Sequence, residues 1–122
     1  MRLNYLDFDY TEDDDGHGSF DAMAAVPPAQ WPALLAEVQQ VLAWALGEFP
    51  GGRGPLEEGG QWDCELQGLR EVPTPLALRA DDATGEVRVT EGAPGQPRLT
   101  LSLTLSGTRT FCDAMREAFA ID

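Results

Sequence analysis

Apolar residues recur with helical spacing through residues 31–49. Successive members are one to four positions apart and fall on one stripe: Trp31, Leu34, Leu35, Val38, Val41, Leu42, Ala45, Leu46 and Phe49. This spacing predicts an amphipathic helix that begins just before Pro32 and runs to about Glu48, where Pro50-Gly51-Gly52 stops it. Trp44 falls off the stripe. It would either cover a sheet edge or lie exposed, and we favour an isolated exposed aromatic.

Strict alternation predicts a β-hairpin ahead of this helix. Residues 3–10 place Leu6, Phe8 and Tyr10 on one face and Tyr5, Asp7 and Asp9 on the other. Residues 11–18 are rich in glycine and aspartate, which is typical of a turn. Residues 19–26 form the return strand, with Phe20, Ala22, Ala24 and Val26 alternating against Ser19, Asp21 and Met23.

The second half of the chain alternates in the same way and ends in a helix. Strands are predicted over residues 61–69, 76–80, 86–91 and 98–106, and the last places Leu99, Leu101, Leu103 and Leu105 on one face. On the strand over 61–69, Trp62, Cys64 and Leu66 point inward. A final helix capped by Thr108 or Thr110 buries Phe111, Cys112, Met115, Ala118 and Phe119.

The order β-β-α-β-β-β-β-α predicts one α+β domain over residues 1–122. In it two helices pack on one face of a single antiparallel sheet. If the apolar positions face the helices, the opposite face is open, polar and mainly acidic. It would carry Tyr5, Asp7, Asp9, Asp21, Met23, Asp63, Glu65, Arg79, Arg88, Thr100, Ser102 and Thr104.

Charge narrows the range of partners. The 122 residues include 21 acids, eight arginines and no lysine, for a net charge of −13. Such a chain repels phosphate backbones and anionic lipids, so we expect no nucleic-acid and no membrane partner, whereas a basic protein would be attracted. The arginine-only basic set suggests a GC-rich bacterial gene. The acidic N-terminal segment lacks the layout of a signal peptide, so we expect a cytoplasmic protein.

Candidate chemistry is sparse. His17 is the only histidine, and Ser19 or Ser102 would be its partner in a triad, but we interpret it as a turn residue. Asp13-Asp14-Asp15-Gly16 fails the EF-hand pattern, because Ala22 stands where the bidentate glutamate belongs. Cys64 and Cys112 are predicted to be buried free thiols. We therefore expect no enzyme activity, no cofactor and no metal site.

The leading hypothesis is a small protein-binding module that acts through its acidic hairpin and open sheet face. The predicted contact residues are Asp7, Asp9, Asp13, Asp14, Asp15, Asp21, Asp63 and Glu65. In size and acidity alone, and in no motif, the chain resembles bacterial immunity proteins and acidic secretion chaperones. The alternatives are a small enzyme or metal-binding protein that uses scattered carboxylates, and a self-associating protein with a strand edge or Trp44 in its interface.

Overall fold

The computed structural model describes residues 1–122 and contains six strands and two helices. In chain order these are β1 (Asp9–Glu12), β2 (Gly18–Val26), α1 (Trp31–Glu48), β3 (Trp62–Glu71), β4 (Leu76–Ala80), β5 (Val87–Glu91), β6 (Arg98–Gly107) and α2 (Arg109–Phe119). Four strands form an antiparallel sheet in the order β1-β2-β6-β3, while β4 and β5 pair with each other alone. The predicted α+β class and element order are confirmed.

The core lies between the sheet and the two helices. Alternate residues of β2 and β6 are buried there, and in the register Phe20 lies opposite Leu105 and Ala22 opposite Leu103. The Phe111 ring of α2 stacks on the Trp62 indole with 5.7 Å between centroids and an interplanar angle of 8°. Thr108 caps α2 by accepting the Phe111 N–H at 3.4 Å. The periodicity of these elements therefore predicted their buried faces correctly.

Helix α1 is rotated relative to the predicted stripe. Its buried side includes Glu37 and extends towards Trp44, whose ring centroid lies 5.3 Å from that of Phe119 and 5.9 Å from that of Phe111. The interpretation of Trp44 as an exposed aromatic is thus wrong, because α2 packs against that side of α1. Leu46, which points away from α2, is 53% exposed although the stripe predicted it to be buried.

The first predicted strand is the largest local correction. Residues 3–8 are not part of the sheet, and β1 comprises only Asp9–Glu12. Glu37 supplies the missing partner, since its carboxylate accepts the backbone N–H groups of Asn4, Tyr5 and Leu6 at 2.7–2.9 Å. Leu6 and Phe8 are buried as predicted. Tyr5 packs against the core rather than lying on the open face.

Strands β4 and β5 stand outside the sheet as a two-stranded arm, defined here as residues 72–97. Every residue of both strands is exposed. The arm continues from β3 and β6 through proline-containing connections, held by the Gly95 N–H to the Pro73 carbonyl at 2.7 Å and the Gly92 N–H to the Pro75 carbonyl at 2.8 Å. Arg79 and Arg88 therefore lie on the arm, and their predicted place on the open sheet face is wrong.

Leu66 is a second residue whose burial differs from the prediction. It faces the helix side of the edge strand β3, opposite Leu103, but remains 49% exposed. Neither α1 nor α2 has the length and apolar content that crossing a bilayer requires.

Candidate protein-binding face

The open face of the sheet is organised in rows that the strand register defines. Cross-strand partners share a face, so the pairings of Asp21 with Asp9 and with Thr104 place all three side chains on one side. Glu65 pairs with Thr104 from the other edge. One row across the four strands therefore reads Asp9, Asp21, Thr104 and Glu65. The neighbouring row, reached by stepping two residues along each strand, reads Thr11, Ser19, Ser106 and Asp63.

The carboxylates of these two rows, which we call the acidic rows, have almost no compensating positive charge. The Thr104 hydroxyl donates a hydrogen bond of 2.7 Å to Asp21 Oδ1. The one ion pair of the protein joins Arg53 Nε to Asp63 Oδ1 at 3.6 Å, between side chains that are 55% and 40% exposed. Asp9, Asp21 and Glu65 are exposed and form no ion pair. Asp9 lies directly opposite Asp21 in the register, and like charges at directly opposed positions are unfavourable for folding.

The turn after β1 borders the acidic rows. Asp13 closes this turn by accepting the backbone N–H groups of Asp15 and His17 at 2.9 and 3.0 Å, so it is a structural residue as well as an anion. Asp14 and Asp15 are exposed beside it. A cleft of about 500 Å³ separates this turn from Leu56 and Glu57, with Ser19 and Ser106 along its wall.

The structure thus brings seven of the eight predicted contact residues to one end of the sheet. Four occupy the acidic rows and three the adjoining turn: Asp9, Asp21, Asp63 and Glu65, then Asp13, Asp14 and Asp15. Asp7 is the exception. It precedes β1 and lines a separate groove beside the C-terminal residues.

The other end of the open face is apolar. Stepping along the strands from the acidic rows leads to Met23, then to Ala25 and Leu69, and Met23 is 71% exposed. Together with Val72 and Pro73 these residues line an open groove of about 640 Å³ at the base of the arm. The open face therefore changes from acidic to apolar along its strands. The prediction of a mainly acidic face describes only one end of it.

No protein-family model matches this chain, and comparison with the curated proteins and with the solved structures gives no match.

The residues weighed for catalysis do not form a site. His17 shares the cleft with Ser19 and Ser106, but its side chain forms no hydrogen bond with either serine, and Ser102 lies two rows away from Ser106. Nowhere do three His, Cys, Asp or Glu side chains come together in a group that could hold a metal ion.

The two cysteines lie on the helix side of the sheet as predicted. Both are free thiols, Cys112 buried and Cys64 half-buried. Burial raises the pKa of each thiol above its ordinary value. The pKa of the nearby Tyr10 phenol is also raised, first by burial and then by its hydrogen bond to Glu12. All three groups are therefore uncharged at neutral pH.

Sequence reasoning missed Glu57 and the apolar groove. Glu57 lies in a glycine-rich segment that reads as a plain linker, and no local pattern places it beside β6. The sequence did contain an indication of the apolar groove. Met23 and Leu69 occupy outward positions of their strands, where an apolar residue is unexpected.

Proposed function

We propose that this protein is a non-enzymatic binding module that holds a basic protein partner on the acidic rows of its open sheet face. The observation that supports this most strongly is the row Asp9, Asp21, Thr104 and Glu65, which carries three exposed carboxylates without an ion pair. Opposed carboxylates lower stability, so their placement side by side on a sheet favours a role in binding over a role in folding.

The geometry suits recognition of arginine and lysine side chains. The ladder fixes the spacing of the backbone positions that carry these carboxylates, so a partner's guanidinium groups would meet charged acceptors at set intervals. Ser19, Thr104 and Ser106 lie among the acids and add hydroxyl donors and acceptors. The net charge of −13 speeds the approach of a cationic partner and disfavours nucleic acid and anionic membranes.

We place the protein in the bacterial cytoplasm within this proposal. Its two cysteines are unpaired, which suits a reducing compartment. The arginine-only basic composition supports a bacterial origin.

The test compares two double variants that remove the same charge. In Asp21→Asn/Glu65→Gln the acidic rows lose two carboxylates, and in Asp113→Asn/Glu117→Gln two exposed acids of α2 are neutralised instead. Wild-type protein and both variants are immobilised and exposed at low salt to a lysate of a GC-rich bacterium, and bound proteins are eluted with NaCl.

We expect a basic protein that wild type and the α2 variant both capture and that the open-face variant does not. Its elution should move to lower NaCl only for the open-face variant, because contacts at that face carry the binding. Equal loss of capture by both variants would show that net charge alone is responsible and would contradict the proposal.

A further inference from the structure

One face of the arm is apolar and uncovered. Register pairs of β4 and β5 share a face, so Leu78 and Val89 lie side by side, as do Ala80 and Val87. With Leu76 they form a continuous patch, which we call the arm patch. Its four large side chains are 57–67% exposed. Glu91, the register partner of Leu76, lies on the same face at one end of the patch. The opposite face of the arm carries Ala77, Arg79, Arg88 and Thr90.

The arm lacks the contacts that stabilise a ribbon of this size. A two-stranded hairpin is marginal in water unless a third strand or a helix covers it. Arg79 also pairs directly with Arg88, which places like charges opposite each other. A surface that covers the arm patch would supply the missing burial.

The apolar groove at the base of the arm is the second uncovered surface. Met23, Ala25 and Leu69 present no charge, and Thr100 beside them is neutral. The charged residues at its edge, Glu71 and Arg98, are register partners and offset each other. Groove and arm patch are therefore both mainly apolar. The groove has the balanced pair Glu71 and Arg98 at its edge, and the patch has the single charge of Glu91 at one end.

The distribution of charged residues along the chain indicates which occupant fits the groove and the arm patch. Residues 70–98 contain four of the eight arginines and only five of the 21 acids, so nearly all of the net charge of −13 lies elsewhere. Two copies of the chain repel each other wherever acids meet acids. The arm patch and the groove are apolar surfaces with little net charge, so two copies can bury apolar area there with little mutual repulsion.

We propose that the arm patch of one copy packs into the groove of a second copy, and that the second copy returns the same contact. The contact is reciprocal about a two-fold axis near the arm bases, so each dimer buries two arm patches and two grooves. The dimer uses surfaces other than the acidic rows, so it goes beyond the proposed function and does not depend on it.

The first test places one arginine on either face of the arm. Val89→Arg puts a charge in the arm patch, and Thr90→Arg puts the same charge on the opposite face, one residue away. Sedimentation equilibrium over a wide concentration range should show a dimer for wild type and for Thr90→Arg. Val89→Arg should weaken dimerisation about tenfold or more. A wild-type chain that stays monomeric up to its solubility limit overturns the proposal, as does equal weakening by both variants.

A variant in the groove controls for the possibility that Val89→Arg weakens dimerisation by misfolding the arm. Leu69→Arg leaves the arm sequence intact and should weaken dimerisation to a similar degree, whereas Gln39→Arg on the exposed side of α1 should not. If Leu69→Arg dimerises like wild type, the groove is not the docking site.

Cysteine pairing separates arm-to-groove packing from arm-to-arm packing. In a Cys64→Ser background, chains with Val89→Cys are mixed with chains with Met23→Cys and oxidised. The mixed disulfide should form in clear excess over either homodimer. Preferential disulfide formation by Val89→Cys alone would mean that arms pack against each other and would refute the proposed contact.

Discussion

Glu37 replaces a neighbouring strand for the N-terminal segment. Glu37 is buried, with 7% of the residue exposed, and its carboxylate accepts three successive backbone N–H groups, those of Asn4, Tyr5 and Leu6. Such bonds to a charged acceptor are among the stronger hydrogen bonds in proteins. The alternation of residues 3–10 predicted the burial of Leu6 and Phe8 correctly. It could not predict that a side chain more than 30 residues away would hold residues 4–6, so that the strand begins only at Asp9.

Glu37→Gln tests this arrangement. The amide keeps one acceptor oxygen but turns an NH₂ donor towards backbone N–H groups. The free energy of unfolding should therefore fall by about 1–3 kcal/mol. Urea denaturation measures the change, and Glu48→Gln at an exposed position of the same helix should stay within about 0.5 kcal/mol of wild type. Equal stability of Glu37→Gln and Glu48→Gln would show that the carboxylate is not what holds the segment.

The two thiols should differ in reactivity. Burial raises the pKa of both Cys64 and Cys112, so little thiolate is present at neutral pH and reaction with a thiol reagent is slow. Cys64 is half-buried and should react first, at a rate that rises with pH beyond the ordinary thiol range. Cys112 should react only when the protein unfolds. Labelling followed by mass spectrometry distinguishes them, and rapid labelling of Cys112 in native protein at neutral pH would contradict its burial.

At the scale of elements, hydrophobic periodicity predicted which side chains a strand or helix buries on its own apolar face. It did not predict burial that depends on how neighbouring elements pack. Strands β2 and β6 and helix α2 bury the side chains that their patterns predicted. The exposure of Leu46 and the packing of Trp44 depend on where α2 lies, which no local pattern contains. The alternation predicted separate strands over 61–69 and 76–80, but it did not show that the hairpin of β4 and β5 leaves the sheet.

The turn of the arm should be sensitive to acid. The carboxylate of Asp81 accepts the backbone N–H groups of Ala83 and Thr84 at 2.8 and 3.1 Å, and these bonds lower the pKa of Asp81. Because the folded pKa lies below the unfolded one, this stabilisation is fully present above the ordinary aspartate pKa of about 4. It is lost as the pH falls through the lowered folded value.

NMR of the arm amides measures this dependence. The Ala83 and Thr84 amide shifts of wild type should titrate with a midpoint below the ordinary aspartate range, and Asp81→Asn should abolish that step. Asp82→Asn, one residue away and without such bonds, should retain it. A step that survives in Asp81→Asn would assign the acid sensitivity to another group.

At the scale of the whole molecule, the placement of charged and apolar residues on the surface was harder to predict than the net charge. The net charge and the membership of Asp9, Asp21, Asp63 and Glu65 in one face followed from composition and strand parity. The outward positions of Met23 and Leu69 indicated the apolar end of that face, but the shape of the groove depends on how the arm joins the sheet.

Self-repulsion should make the folded protein more stable in salt. With one ion pair and a net charge of −13, compaction brings like charges together. Raising NaCl from about 10 to about 150 mM shortens the screening length from roughly 30 to 8 Å. The free energy of unfolding from urea denaturation should increase over this range. A decrease would mean that attractive pairs dominate the folded state.

The central claim is that the acidic rows bind a partner and lower the stability of the fold. Measuring stability and partner affinity on the same variant tests it most directly. For Asp21→Asn/Glu65→Gln we would measure the free energy of unfolding and the Kd for the captured basic partner at low salt. Stability should be equal to or higher than that of wild type while the Kd rises at least about tenfold, and Asp113→Asn/Glu117→Gln should leave the Kd near the wild-type value. An unchanged Kd for the open-face variant would contradict the account.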